Sequence, residues 1–240
     1  MKQLLSPSIL VMREGGGFMP VITKITRQKR NEHRYNIFID EAYAFSVDES
    51  VLVKHRLTKG MTMDEWLLGD VTYEDEIEKA FQAGVDYLSY RMRSEREVKD
   101  KLLAKEFGEA VVLEALAKLR RVQLLDDEAF TKAYVRTQWK SGKKGPRVIR
   151  RELTQKGIDP NLQEEVLNMY DDQTQWDIAM ELAESTKRSN ERHAPAQVKR
   201  KIYNRLLRKG FASELIQSVL DEIEIEREQD EWDAILEREG

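Results

Sequence analysis

Gly145-Pro146-Arg147-Val148-Ile149-Arg150-Arg151-Glu152-Leu153-Thr154-Gln155-Lys156-Gly157-Ile158 is a helix written with both of its ends. Ile149 and Leu153 stand four residues apart and share one face, while Arg147, Arg150 and Arg151 take the others. Pro146 suits a first turn, where its fixed φ fits and its missing N–H is not needed. Lys156 and Gly157 suit a last turn: a cation at the negative end of the helix dipole, then a residue that accepts positive φ.

The same pattern occurs three times, at 94 to 119, 145 to 170 and 198 to 223. The anchor pairs are Val98 and Leu102, Ile149 and Leu153, and Ile202 and Leu206, so the copies are offset by 51 and 53 residues. Lys105, Lys156 and Lys209 follow each Leu by three residues; Phe107, Ile158 and Phe211 follow it by five. A second apolar helix comes next, anchored by Val111 and Leu116, Leu162 and Leu167, and Leu215 and Leu220. Gly157 and Gly210 hold the stop, whereas the first copy has Glu106 there and Gly108 two residues later. Ser94 with Glu97 has capping-box spacing, and Asp159 precedes Pro160 as a helix start.

A preceding helix completes each unit. The stripe Ile77, Phe81, Val85 and Leu88 predicts one from 73 to 92; weaker counterparts lie at 127 to 140 (Phe130, Ala133, Tyr134) and 174 to 187 (Trp176, Ala179, Met180). The widening joint from Ser185 to Pro195 reads as a hinge. Upstream, Val21, Ile22 and Ile25, then Tyr35, Ile37 and Ile39, then Tyr43 and Phe45 alternate as strands, with turns at 29 to 32 and at Asp40-Glu41. A short helix at 48 to 57, a turn at 58 to 60 and a segment from Met63 to Leu68 follow. The sequence thus predicts a mainly α protein: tandem three-helix repeats in an elongated, curved string of modules, with a small N-terminal β-meander region. Its expected divisions are a disordered leader at 1–18, a strand region at 19–70, repeats at 71–121, 122–170 and 171–223, and an acidic helical tail at 224–240. Glu14-Gly15-Gly16-Gly17 is what a purine-rich ribosome-binding site encodes when translated, which places the natural start at Met19.

Composition narrows the function. The 240 residues contain no cysteine, which excludes disulfides and thiolate metal sites, and no apolar run reaches the roughly 18 residues of a membrane span. The chain is therefore expected to be cytoplasmic. His33, His55 and His193 are scattered, no serine elbow or phosphate loop occurs, and Asp126-Asp127 reads as a helix start; neither an enzyme nor a cofactor is expected. The formal net charge of -4 conceals an uneven distribution. Residues 120–156 carry eleven Lys and Arg against four acids, and 185–211 carry nine against one; 221–239 carry ten acids against two bases. The basic clusters recur in equivalent modules: Lys140, Lys143, Lys144, Arg147, Arg150 and Arg151 in one, and Lys199, Arg200, Lys201, Arg205 and Arg208 in the next. Such a sustained positive field suits phosphates or an acidic protein groove. Tyr134 and Tyr203 read as core, and Trp139 is a candidate for stacking on bases.

The run 88–94 (LSYRMRS), the start 125–130 (LDDEAF), the segment 145–158 and the run 206–211 (LLRKGF) together resemble the bacterial regulatory protein RecX family. The likeness extends over about residues 75 to 223, and the strand region is similar to the extension of longer, Gram-positive-type members. The resemblance implies a non-enzymatic modulator of the RecA recombinase that lies in the groove of the RecA filament on single-stranded DNA. It would there alter strand exchange, ATP hydrolysis and co-protease activity in the SOS response. The filament contact is expected at Lys144, Arg147, Arg150 and Arg151, then at Lys199, Arg200 and Arg205, in a monomer that binds single-stranded DNA weakly and with salt dependence. The alternatives are a nucleic-acid binder acting without RecA through the same basic stripe, and a purely structural adaptor.

Overall fold

Three short strands open the described chain, which in this computed structural model covers residues 20–169 and 172–223. The expected leader, the start at Met19 and the acidic tail lie outside the described residues. Strands β1 (Ile22–Arg27), β2 (Arg34–Ile39) and β3 (Ala42–Asp48) pair antiparallel in chain order, with Ile25 opposite Ile37 and Ile37 opposite Phe45. Asp40 (φ 49°) and Glu41 (φ 66°) both take positive φ, as the two-residue hairpin between β2 and β3 requires. Asp48 then caps helix α1 (Glu49–Lys54) by accepting from the Ser50 N–H.

Helix α2 (Glu65–Leu88) differs from expectation by uniting the segment at Met63–Leu68 with the following helix and by ending four residues early. Gly69 and Thr72 suggest a break, yet one glycine costs a helix only about 1 kcal/mol. The hydroxyl of Thr72 bonds back to the carbonyls of Leu68 and Gly69. Packing then decides the outcome. Leu68 and Val71 close a core with Ile22, Ile37, Ile39, Val47 and Met63, while Ala80 joins Val98, Leu102, Val112, Leu116 and Leu119 in another. One helix therefore lends apolar surface to both cores, which stabilises a strand region too small to form a sufficient core alone.

Asp75 fixes the sheet to α2. Its buried carboxylate accepts from Arg34 at 3.0 Å, from the Asp48 N–H at 2.9 Å and from Lys79 at 2.7 Å, and Arg34 also donates to the Ser46 carbonyl. His55, at the end of α1, meets Glu74 through Nε2 at 3.0 Å and faces Asp70 through Nδ1 at 3.9 Å. Lys54 takes the other Glu74 oxygen, so these groups form an ionic clamp of α1 on α2.

Helices α3 (Glu95–Leu103) and α4 (Glu109–Arg121) complete the first copy. The second has α5 (Asp127–Thr137), a π-turn at Gln138–Gly142, α6 (Pro146–Gln155) and α7 (Pro160–Asn168); the third has α8 (Asp172–Arg188), α9 (Pro195–Lys209) and α10 (Ser213–Glu222). The described chain divides into two units, residues 20–91 with 98–125, and residues 92–97 with 126–169 and 172–223. The segment expected as a hinge is helical through Arg188, and its remaining turn is closed by hydrogen bonds from Asn190 N to Lys187 O and from His193 N to Asn190 O.

The helix ends explain the repeated spacing. In each copy the residue five after the anchor Leu donates its N–H to that Leu carbonyl: Phe107 to Leu102, Ile158 to Leu153, Phe211 to Leu206. The residue before it is left-handed, at φ 66° for Glu106, 76° for Gly157 and 92° for Gly210. This is the Schellman closure with its apolar contact, so Glu106 keeps the geometry despite its side chain. The capping box also forms, with Ser94 N donating to Glu97 and Glu97 N donating to the Ser94 hydroxyl. Asp126 caps α5 by accepting from Glu128 and Ala129, and Asp127 accepts from the N–H of Glu95.

Within the second unit the middle helices meet end to start. Gly145 N donates to Lys209 O at 2.7 Å and Arg147 N to Gly210 O at 3.1 Å, so the free N–H groups at the start of α6 satisfy carbonyls at the end of α9. A Cβ on Gly145 would fall 2.5 Å from the Gly210 carbonyl carbon, and one on Gly210 would fall 2.6 Å from the Val148 nitrogen. The end of α6 meets the start of α3 in the same manner: a Cβ on Gly157 would lie 2.7 Å from Arg96, and Lys156 reaches Glu97 at 3.1 Å. Glu106 holds the same left-handed stop in the first copy with an exposed side chain.

Candidate basic interface

The eleven cations singled out by sequence lie on or beside α6 and α9, and the structure separates them by partner. In the second copy Lys143 pairs with Glu181, Lys144 with Glu152 at 2.6 Å, and Arg150 with Glu164 at 2.8 Å. Glu152 also accepts from the Tyr134 hydroxyl at 2.9 Å, so the field of Lys144 is cancelled inside a fixed network. Lys140, Arg147 and Arg151 are exposed, and their side chains have no hydrogen bond or ion pair among the described residues.

The third copy is arranged differently. Lys199, Arg200 and Arg208 are exposed and without such partners among the described residues. Lys201 donates to the Asn190 side-chain oxygen at 2.6 Å, and Arg205 to the Thr186 hydroxyl at 2.8 Å and the Leu182 carbonyl at 3.4 Å. These partners are neutral. They hold the two cations in place without cancelling their charge.

Trp139 is not available to stack on bases. It is 2% exposed, in the core with Phe130, Val135, Ile149 and Leu153, because the π-turn carries its ring inward after α5. Tyr134 and Tyr203 pack against the cores of their copies as expected. Sequence reasoning missed the role of the stop lysines. Lys156 lies over the rings of Phe130 (5.7 Å) and Tyr134 (5.3 Å) as it reaches Glu97, and Lys209 donates to the Gly142 carbonyl at 2.8 Å. Both tie one copy to another, and their recurrence three residues after the anchor Leu was the available signal.

The fold thus defines a class: a protein of three-helix modules behind a small sheet, with basic helices presented by successive copies. Family models described as the regulatory protein RecX N-terminal domain and the first, second and third three-helix domains of RecX match residues 20–64, 80–119, 126–167 and 173–220. The "Regulatory protein RecX" of Bacillus cytotoxicus is 41% identical over 214 residues, 88% of this chain and 79% of that protein. The protein of the same name from Bacillus licheniformis is 42% identical over 222 residues, covering 92% and 84%. A crystal structure of regulatory protein RecX superposes with a TM-score of 0.75 at 37% identity, covering 85% of this chain and 100% of that one. The crystal structure of RecX from Lactobacillus salivarius gives 0.58 at 35% identity, covering 62% and 97%. The chain belongs to the RecX family. Among the described residues no helix is long and apolar enough to cross a membrane.

Proposed function

We propose that this chain is a non-enzymatic, monomeric, cytoplasmic regulator of RecA that lies in the groove of the RecA filament on single-stranded DNA, without a cofactor. From there it alters recombination, ATP hydrolysis and co-protease activity. The observation that carries this reading is the set of exposed cations Lys140, Arg147, Arg151, Lys199, Arg200 and Arg208 on helices joined end to start. Copies fixed to one another can engage successive sites of a periodic polyanionic partner, so weak contacts add through effective concentration. Among the cations predicted from sequence, Arg147 and Arg151 become the leading candidates in the second copy. Lys143, Lys144 and Arg150 support the interface through their glutamate partners.

The test is RecA-catalysed ATP hydrolysis on single-stranded DNA, titrated with substoichiometric protein and repeated with Arg147→Glu/Arg151→Glu. A change in rate that the reversal abolishes supports the reading. No change at any ratio, with binding to bare DNA retained, favours a nucleic-acid binder that acts without RecA.

A further inference from the structure

We propose that the groove between α8 and α9 seats the sugar–phosphate backbone of a single-stranded nucleic acid. This deepens the filament reading and rests on it in one respect, that the third copy faces the strand. The groove is a cavity of about 530 Å³ lined by Thr186, Ser189, Asn190, Lys201, Asn204, Arg205, Leu207 and Arg208. Three cations line it and no acid does. Taking a cation out of water is costly unless it is paired, and elsewhere in this unit Lys143, Lys144, Arg150 and Lys156 are paired with glutamates. Here the chain supplies a hydroxyl, a carbonyl and an amide oxygen instead. Lys201 and Arg205 are thereby aimed and left positive, with the remaining donors of each able to meet an anion.

The occupant follows from shape. Arg200, Asn204 and Arg208 stand four apart, as do Lys201 and Arg205, so polar groups repeat about every 6 Å along one face of α9. That rise is comparable with the step between neighbouring phosphates of an extended strand. The cavity is too large for one carboxylate. Leu207, 42% exposed at its edge, offers apolar contact to a sugar. A repeating polyanion fits these features better than an acidic protein segment.

The experiment measures anisotropy of labelled oligo(dT) with the full chain across a salt series, for wild type, Lys201→Gln/Arg208→Gln and Asn204→Asp. Asn204 is exposed, and the last change removes no hydrogen bond described above while placing a carboxylate in the groove. Loss of two phosphate contacts should reduce the slope of log K against log salt by about 1.4, from about 0.7 per contact on a single strand. Asn204→Asp should weaken binding several-fold at low salt with an unchanged thermal melt. Slopes and affinities equal to wild type in both variants would overturn the proposal. So would absence of oligo(dT) binding by wild type at low salt, or stronger competition by polyglutamate than by unlabelled oligo(dT), which would assign the groove to an acidic protein. RecA ATP hydrolysis measured in parallel separates the two ideas: a wild-type protein without effect on RecA defeats the filament reading, whereas unaltered oligo(dT) slopes defeat only the groove.

Discussion

Gly145→Ala tests whether the joint between copies is a designed close approach. The added Cβ would lie 2.5 Å from the Gly210 carbonyl carbon, 2.6 Å from its oxygen and 2.6 Å from the Phe211 nitrogen. All three are backbone atoms, so no side-chain tip can swing aside. The joint must open, at the expense of the hydrogen bonds from Gly145 N to Lys209 O and from Arg147 N to Gly210 O. Overpacking of this kind costs about 1–3 kcal/mol, and each lost hydrogen bond about 1 kcal/mol. Exchanging Gly for Ala at an N-cap costs about 0.5 kcal/mol more. The expected loss is about 4.5 kcal/mol, or about 3 M in the urea midpoint at an m-value near 1.5 kcal/mol/M. Gly108→Ala is the control. Gly108 is also an N-cap without a side-chain bond, and a Cβ there meets nothing within 4 Å, so only the capping cost applies. Unfolding is followed by far-ultraviolet circular dichroism in both variants, and in the second unit also by the fluorescence of buried Trp139. If Gly145→Ala came within about 0.5 kcal/mol of Gly108→Ala, the ordinary scatter of surface changes, the close-approach reasoning would fail.

Asp75→Ala removes the carboxylate that holds Arg34 and the Asp48 N–H, and should destabilise the first unit by about 3 kcal/mol because it leaves the partly buried Arg34 and the Asp48 N–H without that acceptor; hydrogen exchange should show lost protection in β2 and β3, and full protection would refute the clamp. Glu106→Gly should stabilise the first copy by about 0.5–1 kcal/mol, since a non-glycine residue at φ 66° is strained and the side chain lost is exposed; a lower melting temperature would contradict this. Glu74→Gln should destabilise at pH 7, with the deficit shrinking as pH falls. Burial alone would raise the Glu74 pKa, but the hydrogen bonds from Lys54 and His55 outweigh it and hold the carboxyl below its ordinary 4.5. A depressed carboxyl contributes stability that is present above pH 4.5 and lost as pH drops through the folded-state value, so variant and wild-type melts should converge there; a deficit that persists undiminished in strong acid would refute the assignment.

The helices, their starts and their stops were legible because local chemistry writes them. Proline at a first turn, a capping box and a left-handed stop act within one or two turns of chain, and Pro146, Ser94 with Glu97, and Gly157 behave as those rules require. The continuity of α2 was not legible, because the contacts of Leu68 and Val71 with the sheet override Gly69 from a distance in sequence. Trp139 was misread for a related reason. Its place beside Lys140, Lys143 and Lys144 favoured a surface position, and the π-turn that buries it has no signature in residue type. Which cations are paired with an acid was also hidden, since Glu152, Glu164 and Glu181 reach them from eight, fourteen and thirty-eight residues away.

The exchange of Gly for Glu at one stop of three links the repeat to the joint. The left-handed conformation alone does not demand glycine, because Glu106 adopts it. Gly157 and Gly210 are glycine for the further reason that Arg96 and Val148 stand within 2.7 Å of where a Cβ would be. The glycines therefore record contact between copies as well as helix ends. The same contacts fix α6 relative to α9 through backbone hydrogen bonds, which vary less with ionic strength than ion pairs between exposed side chains do. Salt should accordingly weaken the grip of Arg147, Arg151 and Arg208 on a polyanion while leaving their mutual placement intact. A salt series that loosened binding and shifted the second unit's unfolding midpoint in proportion would show that the joint depends on the surface charges after all.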